Sequence, residues 1–574
     1  MSQDTLARPW YGDWPEGIPQ SLETPRLGLG DLLRQTARQK PDNRAIVFLD
    51  TIVKYGELDD MVDRFATGLA GLGLKKGDVA AIMLPNSHQF VVAYYACLRL
   101  GVIATAINPT YKPLEVKHQL NDSGAKALIV LDSVFESPAK VLAETGVRHI
   151  IGTNVVDLCG FSFVKRFLGK ALGKIPSGKM PPETIAFGKL LESPPSPPTV
   201  EIDPAQDLAV LQYTGGTTGT PKGAMLTHSN LVSNALACKA WLGELGDKLG
   251  AVGVLPLFHI FAMTCVMNVS VATGAFQLLF PRPPEDMKEW AQQIEKWGQD
   301  YNLIMPGVAA LFNKINNTEG IDRYDISPLR QCLSAAGPLP REVQKTFEAN
   351  TSAIVVEGYG LSETSPVATA NPFKMPGGKP RVMGSIGIPF LDTELKIVDL
   401  ETGQKRMPLG PDGVGEICIK GPQVMKGYFN KPEETAVCLR DGWFYSGDVG
   451  YMDERGWSYI LDRAKDLIKH RGYSVFPAEV EDYLYAHPGI LEVAVIGVPH
   501  QKVGEVVKAF VVLKPEAEGK VSQEDIIAWC QENITHYKAP TIIEFRDELP
   551  KTLVGKVLRR VLRDEEVKQM EGAA

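Results

Sequence analysis

Val79-AAIMLPNSHQFVVAYYACLRLGVIATAINPTYKPLEVKHQLNDSGAKALIV-Leu131 decides the fold of this chain. Val79-AAIML is a short apolar run that reads as a strand, and Gln89 to Leu100 carries apolar residues at helical spacing. Val102-IATAI reads as a second strand, Lys117 to Asp122 closes another helix, and Ala127-LIVLD is a third strand. Upstream, Arg44-AIVFLD reads as a strand and Tyr55 to Gly71 as a helix. Strands that alternate with helices predict a parallel sheet covered on both faces, with ligands beyond the carboxyl ends of the strands. The fold class is therefore α/β.

With 574 residues, 44% hydrophobic and 22% charged, the chain has ordinary globular composition and room for more than one domain. Its net charge of -8 argues against nucleic acid as a partner, so anionic ligands must be held by local Lys, Arg and backbone N–H groups. Eight cysteines form no CxxC pair, which speaks against a zinc ribbon, an iron–sulfur site or a disulfide framework, and suits a cytoplasmic chain. The first residues have no apolar signal-like run. Leu249 to Pro281 lacks any Asp, Glu, Lys or Arg, but Gly253, Pro256, His259, Asn268 and Gly274 interrupt it. A buried strand–loop–helix is expected there in place of a membrane span.

Residues 156 to about 200 break the alternation with Pro, Lys and Gly. Phe161, Val164, Phe167, Leu168 and Leu172 interleave there with Lys165, Arg166, Lys170 and Lys174, as in a solvated surface element or a basic amphipathic helix on an anionic membrane. A second change of composition near Asp462 opens fresh α/β patterning: Ala478 to Ala486 as a helix, with Leu491-EVAVIGV and Ala509-FVVL as strands. The expected division is a large multi-subdomain unit over 1–464, with mostly parallel sheets, and a small α/β unit over 465–574.

The most specific motif is Tyr213-TGGTTGTPKGA, after the apolar strand Leu208-AVLQ and before apolar, helix-like sequence. Three glycines and four threonines ahead of Lys222 supply N–H and O–H donors that suit phosphate oxygens, and the lysine adds positive charge. Gly223 after Lys222 excludes a Walker A loop.

This loop resembles the phosphate-loop signature of the adenylate-forming superfamily, which includes acyl-CoA synthetases, coumarate ligases, luciferases and peptide-synthetase adenylation domains. Glu357-GYGLSET, Tyr445-SGD, Asp462-RAKDLIKHRGYSVFPAEVE and Leu549-PKTLVGK match further motifs of that family in the family's order. The resemblance implies a large nucleotide-binding unit and a small mobile C-terminal one with its hinge at Lys465. It implies activation of a carboxylic acid by ATP with Mg²⁺, then transfer of the acyl group to coenzyme A.

It also assigns roles. Tyr213, Thr214, Gly215, Gly216, Thr217, Thr218, Gly219 and Lys222 would hold the β- and γ-phosphates. Gly337, Gly358 and Tyr359 would line adenine, and Ser362 would bind phosphate. Glu363 would be the magnesium ligand, with Thr214 beside it. Asp448 and Arg463 would hold the ribose, and Lys556 would bridge carboxylate and α-phosphate. Lys465, Lys469 and Gly472 would belong to the hinge and the thiol tunnel, where Ser474 departs from the Gln or Arg often found. His259 in Pro256-LFHIF would stand at the acyl-pocket entrance. Without the preceding PKTLVG, Lys556 would read as part of a solvated basic run with Lys551, Arg559, Arg560 and Arg563.

The opening Pro9-WYGDWPEGIP and the insert at 156–200 resemble bacterial-type long-chain fatty acid ligases. The implied substrate is a long-chain fatty acid, with medium-chain or aromatic acids, or transfer to a carrier-protein phosphopantetheine, as alternatives. A homodimer, and peripheral contact with the cytoplasmic face of a membrane, are compatible with the same resemblance.

Overall fold

The computed structural model describes residues 8–161, 168–169, 172–214, 221–463, 466–470, 473–500, 503–533, 535–552 and 557–573, the side chains of 473–474 and 570–573 excepted. Most of the amphipathic stretch expected around 164–171 lies outside the described residues.

The alternation read around Val79 builds a seven-stranded sheet. In spatial order its strands are Ile185–Ala186, His149–Thr153, Ala125–Leu131, Val79–Met83, Ile103–Ala106, Leu208–Thr214 and Lys222–Thr227. All neighbours are parallel except the last two, which form an antiparallel hairpin. A nine-stranded sheet stands beside it, running Ile388–Pro389, Val367–Ala370, Ile354–Gly360, Leu329–Ser334, Asn302–Gly307, Leu249–Gly253, Phe276–Leu279, Arg44–Phe48 and Thr51–Lys54. Its centre is parallel and its edges are antiparallel.

Helix His88–Arg99 is buried at every position except Arg99. Its continuous apolar sequence has no polar stripe because protein covers it all round. Helix Pro113–Ser123 shows how local sequence fixes an element. Proline occupies the first turn, the Lys112 N–H donates to the Glu115 carboxylate at 2.8 Å, and Gly124 ends the helix in the left-handed conformation at φ +66°.

One feature departs from the expectation of mostly parallel sheets over 1–464. Glu394–Val398, Gly415–Lys420, Leu439–Arg440, Trp443–Met452 and Ser458–Arg463 form a wholly antiparallel five-stranded sheet. Short strands joined by turns, with almost no helix between them, leave no room for parallel crossovers. The C-terminal sheet (Ile468–His470, Tyr473–Val475, Ile490–His500, Gly504–Leu513 and Ile542–Phe545) is antiparallel except for its last pair. Its apolar clusters share no residue with the main core.

The charge-free stretch Leu249 to Pro281 is a buried strand, loop, helix and strand, as expected. No helix among the described residues is long and apolar enough to cross a membrane.

One buried carboxylate of the N-terminal segment gathers three partners from the rest of the chain. Asp13 is buried and accepts from Lys379 Nζ at 2.7 Å, Arg455 Nε at 2.8 Å and the fully buried Trp457 indole at 2.9 Å. Asp13→Ala would leave that indole N–H unpaired, so we expect a loss of about 1–3 kcal/mol, read as a lower denaturation midpoint.

Candidate active site

The glycine- and threonine-rich loop is the tip of the hairpin formed by Leu208–Thr214 and Lys222–Thr227, with Thr214 opposite Lys222 and Tyr213 opposite Gly223. Gly215, Gly216, Thr217, Thr218 and Gly219 lie outside the described residues. A strand, not a helix, follows the loop. The short apolar run Gly223-AMLT finds a partner in the apolar strand before it, and the helix waits for the cap at Thr227. Thr227 and Asn230 close that cap reciprocally, at 3.2 and 2.9 Å. Gly223 is required here: a Cβ would stand 3.2 Å from the Tyr213 ring.

Strand Ile354–Gly360 delivers the second motif. Gly360 passes so close to Pro366 that a Cβ would fall 1.8 Å from its carbonyl oxygen. Tyr359 is buried and donates its hydroxyl to Asp448 Oδ2 at 2.6 Å, while Arg463 Nε approaches Asp448 Oδ1 at 2.8 Å. Asp448 and Arg463 are direct ladder partners in the antiparallel sheet, which is why two residues 15 apart in sequence meet as an ion pair. Burial, then the Asp448 charge, push the Tyr359 phenol well above its ordinary value. Burial would lower the Arg463 pKa, but Asp448, Tyr359, Glu363 and Asp466 together more than offset it and the guanidinium stays charged.

Beyond Gly360, Ser362 and Glu363 lie in a single 3-10 turn over Ser362–Thr364. The Glu363 carboxylate accepts the Tyr428 hydroxyl at 2.6 Å. Tyr428 is bridged through its backbone to Ala224 on the hairpin that carries the glycine- and threonine-rich loop, and the Lys222 ammonium lies 5.2 Å from the centre of its ring. Lys222 Nζ is also 4.0 Å from Glu434 Oε1. One tyrosine thus links the lysine after the loop to the acid of the second motif.

The segment with His259 is pinned by Asn86, whose amide donates to the Gly253 and Leu255 carbonyls at 3.1 and 2.9 Å and accepts from the Leu257 N–H at 2.7 Å. His259 Nδ1 accepts the Phe261 N–H at 3.3 Å and caps the helix Ile260–Ala262. That helix runs into a π-turn over Met263–Asn268, a conformation frequent at functional sites. Thr264 donates to the Ser365 carbonyl at 2.7 Å, so the apolar segment and the Glu363 turn are directly joined.

The family profile described as "AMP-binding enzyme" matches residues 33–429, and "AMP-binding enzyme C-terminal domain" matches 479–556. The chain belongs to the AMP-binding enzyme family. Among full-length relatives, the long-chain-fatty-acid–CoA ligase of Bacillus subtilis (strain 168) is 41% identical over 97% of this chain and 98% of its own length. The structure of the anthranilate CoA ligase AuaEII in complex with anthranoyl-AMP superposes with a TM-score of 0.84 at 25% identity, covering 96% of this chain and 99% of that one. O-succinylbenzoate coenzyme A synthetase from Bacillus subtilis, in complex with ATP and magnesium ion, superposes with a TM-score of 0.76 at 30% identity, covering 93% and 99%.

In this AMP-binding enzyme the segment expected beside adenine is the loop after strand Leu329–Ser334. Ala336 takes φ +69°, a left-handed conformation uncommon for alanine, and the space beside Gly337 is open. Gly358 packs against Leu333 and the Thr369 carbonyl. Lys469 lies on strand Ile468–His470 of the C-terminal sheet, where its N–H donates to Glu505 at 2.7 Å. Lys465, Gly472 and Lys556 lie outside the described residues, as does the Ser474 side chain.

The solvated basic run does not hold for three of its members, one of which, Arg563, pairs with Asp466 at 2.9 Å. The Lys551 ammonium pairs with Glu492. Arg559 forms a fork with Glu481 at 3.0 and 2.6 Å and reaches Asp462 at 3.0 Å; Asp462 also accepts the Ala478 N–H at 2.9 Å. Burial would lower the Arg559 pKa, but Glu481 and Asp462 more than offset it. These contacts fasten the C-terminal sheet to the antiparallel one.

Tyr428, Asn86, Asp462 and Arg559 were not singled out by sequence reasoning. Their partners lie far away in the chain, and only the glycine before Tyr428, at φ +141°, hints at a constrained turn.

Glu357 opens the second motif at the same seam. Burial pushes its carboxyl up to about 8; the Leu339 N–H pulls the other way, and the Asp482 charge adds to the rise. An unfolded Glu loses its proton near about 4.3, so between that value and about 8 the folded chain holds more protons at this group. Stability therefore falls as pH rises across that window and levels off above it. Glu357→Gln should flatten that slope in denaturation midpoints measured from about pH 5 to pH 9.

Proposed function

We propose that this chain ligates a long-chain fatty acid to coenzyme A in two steps, through a fatty acyl-AMP intermediate. The observation that carries the reading is the convergence of Lys222, Tyr428 and Glu363 on one side and Tyr359, Asp448 and Arg463 on the other, joined along the single turn from Tyr359 to Glu363. The relatives named as long-chain-fatty-acid–CoA ligases, 35–41% identical over nearly the whole chain, support the choice of acid.

A carboxylate is a poor electrophile, so its hydroxide-like leaving group must first be replaced. In step one a carboxylate oxygen attacks the α-phosphorus of ATP, the bond to the β-phosphate breaks, and pyrophosphate leaves. Negative charge gathers on the phosphates, and positioned cations and N–H groups lower the barrier. Lys222 and the loop before it supply them at the β- and γ-phosphates. Asp448 spends one lone pair on Tyr359 and one on Arg463, which leaves acceptor capacity for the ribose hydroxyls. The Tyr359 ring offers a flat apolar face to adenine.

Glu363 suits a magnesium ion that keeps its other ligands on phosphate and water. Among the described residues its carboxylate bonds only the Tyr428 hydroxyl, through one oxygen, and the other remains available. A bound Mg²⁺ would neutralise phosphate charge there. No group of three or more metal-ligating side chains occurs among the described residues, which fits an ion held chiefly by its nucleotide.

In step two the coenzyme A sulfur attacks the acyl carbon, the C–O bond to AMP breaks, and AMP departs with that electron pair as the thiol loses its proton. The assigned division, 1–464 and 465–574 with the hinge at Lys465, gives the smaller unit two tasks: Lys556 serves the first step and the Gly472 loop the second. The charge-free segment around His259 suits a hydrocarbon tail.

With ATP, Mg²⁺, palmitate and coenzyme A the purified chain should release AMP and palmitoyl-CoA. AMP release that does not depend on coenzyme A would defeat the reading. Lys556→Ala should slow palmitate-dependent ATP–pyrophosphate exchange by about two to three powers of ten, and an unchanged rate would refute its role. Tyr428→Phe should raise the Mg²⁺ concentration for half-maximal rate roughly five-fold, as expected for one lost hydrogen bond of about 1 kcal/mol.

A further inference from the structure

Helix Pro113–Ser123 touches both ends of the phosphate loop. His118 and Asp122 are one turn apart on it, and so face the same way. The Tyr213 hydroxyl, one residue before the loop's first threonine, donates to Asp122 Oδ2 at 2.7 Å. His118 Nε2–H donates to the carbonyl of Pro221, one residue before Lys222, at 2.9 Å. The two rings also meet edge to face at 6.3 Å. Lys431, three residues past Tyr428, brings its ammonium to 3.7 Å from the other oxygen of Asp122.

We propose that His118 and Asp122 are positioning residues that clamp the two stems of the phosphate loop and set where it meets the β- and γ-phosphates. This inference rests on reading residues 214–222 as a phosphate loop, and it adds a part that no loop motif contains.

The physical case is one of leverage. The hairpin ladder below the loop fixes the register and separation of its two stems, through the Tyr213–Gly223 and Thr214–Lys222 pairs. Side-chain bonds from a third element restrain the stems sideways. Asp122 does so through a phenol whose pKa is raised by burial and then by the carboxylate itself, so the hydroxyl keeps its proton and remains a donor. His118 has only a carbonyl to meet at Pro221, which fixes the proton on Nε2. Gly223 leaves the space that lets the Tyr213 ring lie across the hairpin toward Asp122.

The clamp touches no nucleotide, so its signature is selective. AMP lacks the β- and γ-phosphates, and its binding depends on Tyr359, Asp448 and Arg463. Asp122→Ala and His118→Ala should each lower kcat/KM for ATP by about 10- to 100-fold, the range expected when a positioning element shifts by about an ångström. AMP binding by calorimetry and the KM for coenzyme A should stay within two-fold of the parent, a tolerance of about 0.4 kcal/mol.

Asp122→Asn keeps an acceptor for the Tyr213 hydroxyl and should restore most of the loss. Tyr213→Phe combined with Asp122→Ala should be no worse than the poorer single variant, because both remove the same bond. Equal weakening of ATP and AMP, additive losses in the double variant, or unchanged ATP kinetics in both alanine variants would each overturn the clamp. Lys222→Ala separates the two levels. Should it leave ATP affinity untouched, the reading of the loop itself falls; should it cost ATP while Asp122→Ala and His118→Ala do not, only the clamp falls.

Discussion

A single buried carboxylate holds the candidate site together. Asp448 belongs to the antiparallel sheet, Tyr359 to the end of a parallel strand in the nine-stranded sheet, and Arg463 to the strand that leads out of the antiparallel sheet. An ionised carboxylate in such a place is tolerated only because a guanidinium and a phenol occupy it. The same need for partners aligns three elements whose sequences are unrelated. Once Asp448 fixes Tyr359, the next turn of chain has little choice about where Glu363 goes, and Tyr428 then ties that turn back to the loop hairpin. The geometry runs from ribose side to phosphate side through hydrogen bonds of about 2.6 Å at each end.

The parts of the fold that could be read from sequence were those where local pattern and tertiary setting agree. The strands at Val79, Ala127 and Leu208, and the helices at Tyr55 and Lys117, are continuous apolar runs or clear helical stripes, and these appear where expected, the last within the longer helix Pro113–Ser123. Lys222–Thr227 was harder, since six residues with mixed apolar spacing fit a strand or a first helical turn equally. Its state is decided by the partner it meets across the loop. The five-stranded antiparallel sheet gave no alternation to follow, because its strands are separated by turns in place of helices.

The site divides along the same line. Residues inside compact motifs, such as Tyr359, Glu363, Asp448 and Arg463, are recognisable because the chemistry and the spacing occur together. Tyr428, Asn86, Asp122 and Arg559 act through partners 65, 167, 91 and 97 residues away, in contacts to Glu363, Gly253, Tyr213 and Asp462. Nothing local separates Arg559 from an ordinary solvated arginine. Its three carboxylate neighbours come from segments that meet only after folding, and they turn a surface-like basic run into a buried ionic joint.

Arg463 is the last residue of its strand. The chain leaves the antiparallel sheet at the residue that grips Asp448, and within a few residues it is building the C-terminal sheet. A change of torsion at Arg463 itself acts on the side chain that pairs with Asp448. A ligand seated on Asp448 and the posture of everything downstream therefore share one thermodynamic account. Whatever free energy the posture lends to the ligand, the ligand must return to the posture in equal measure.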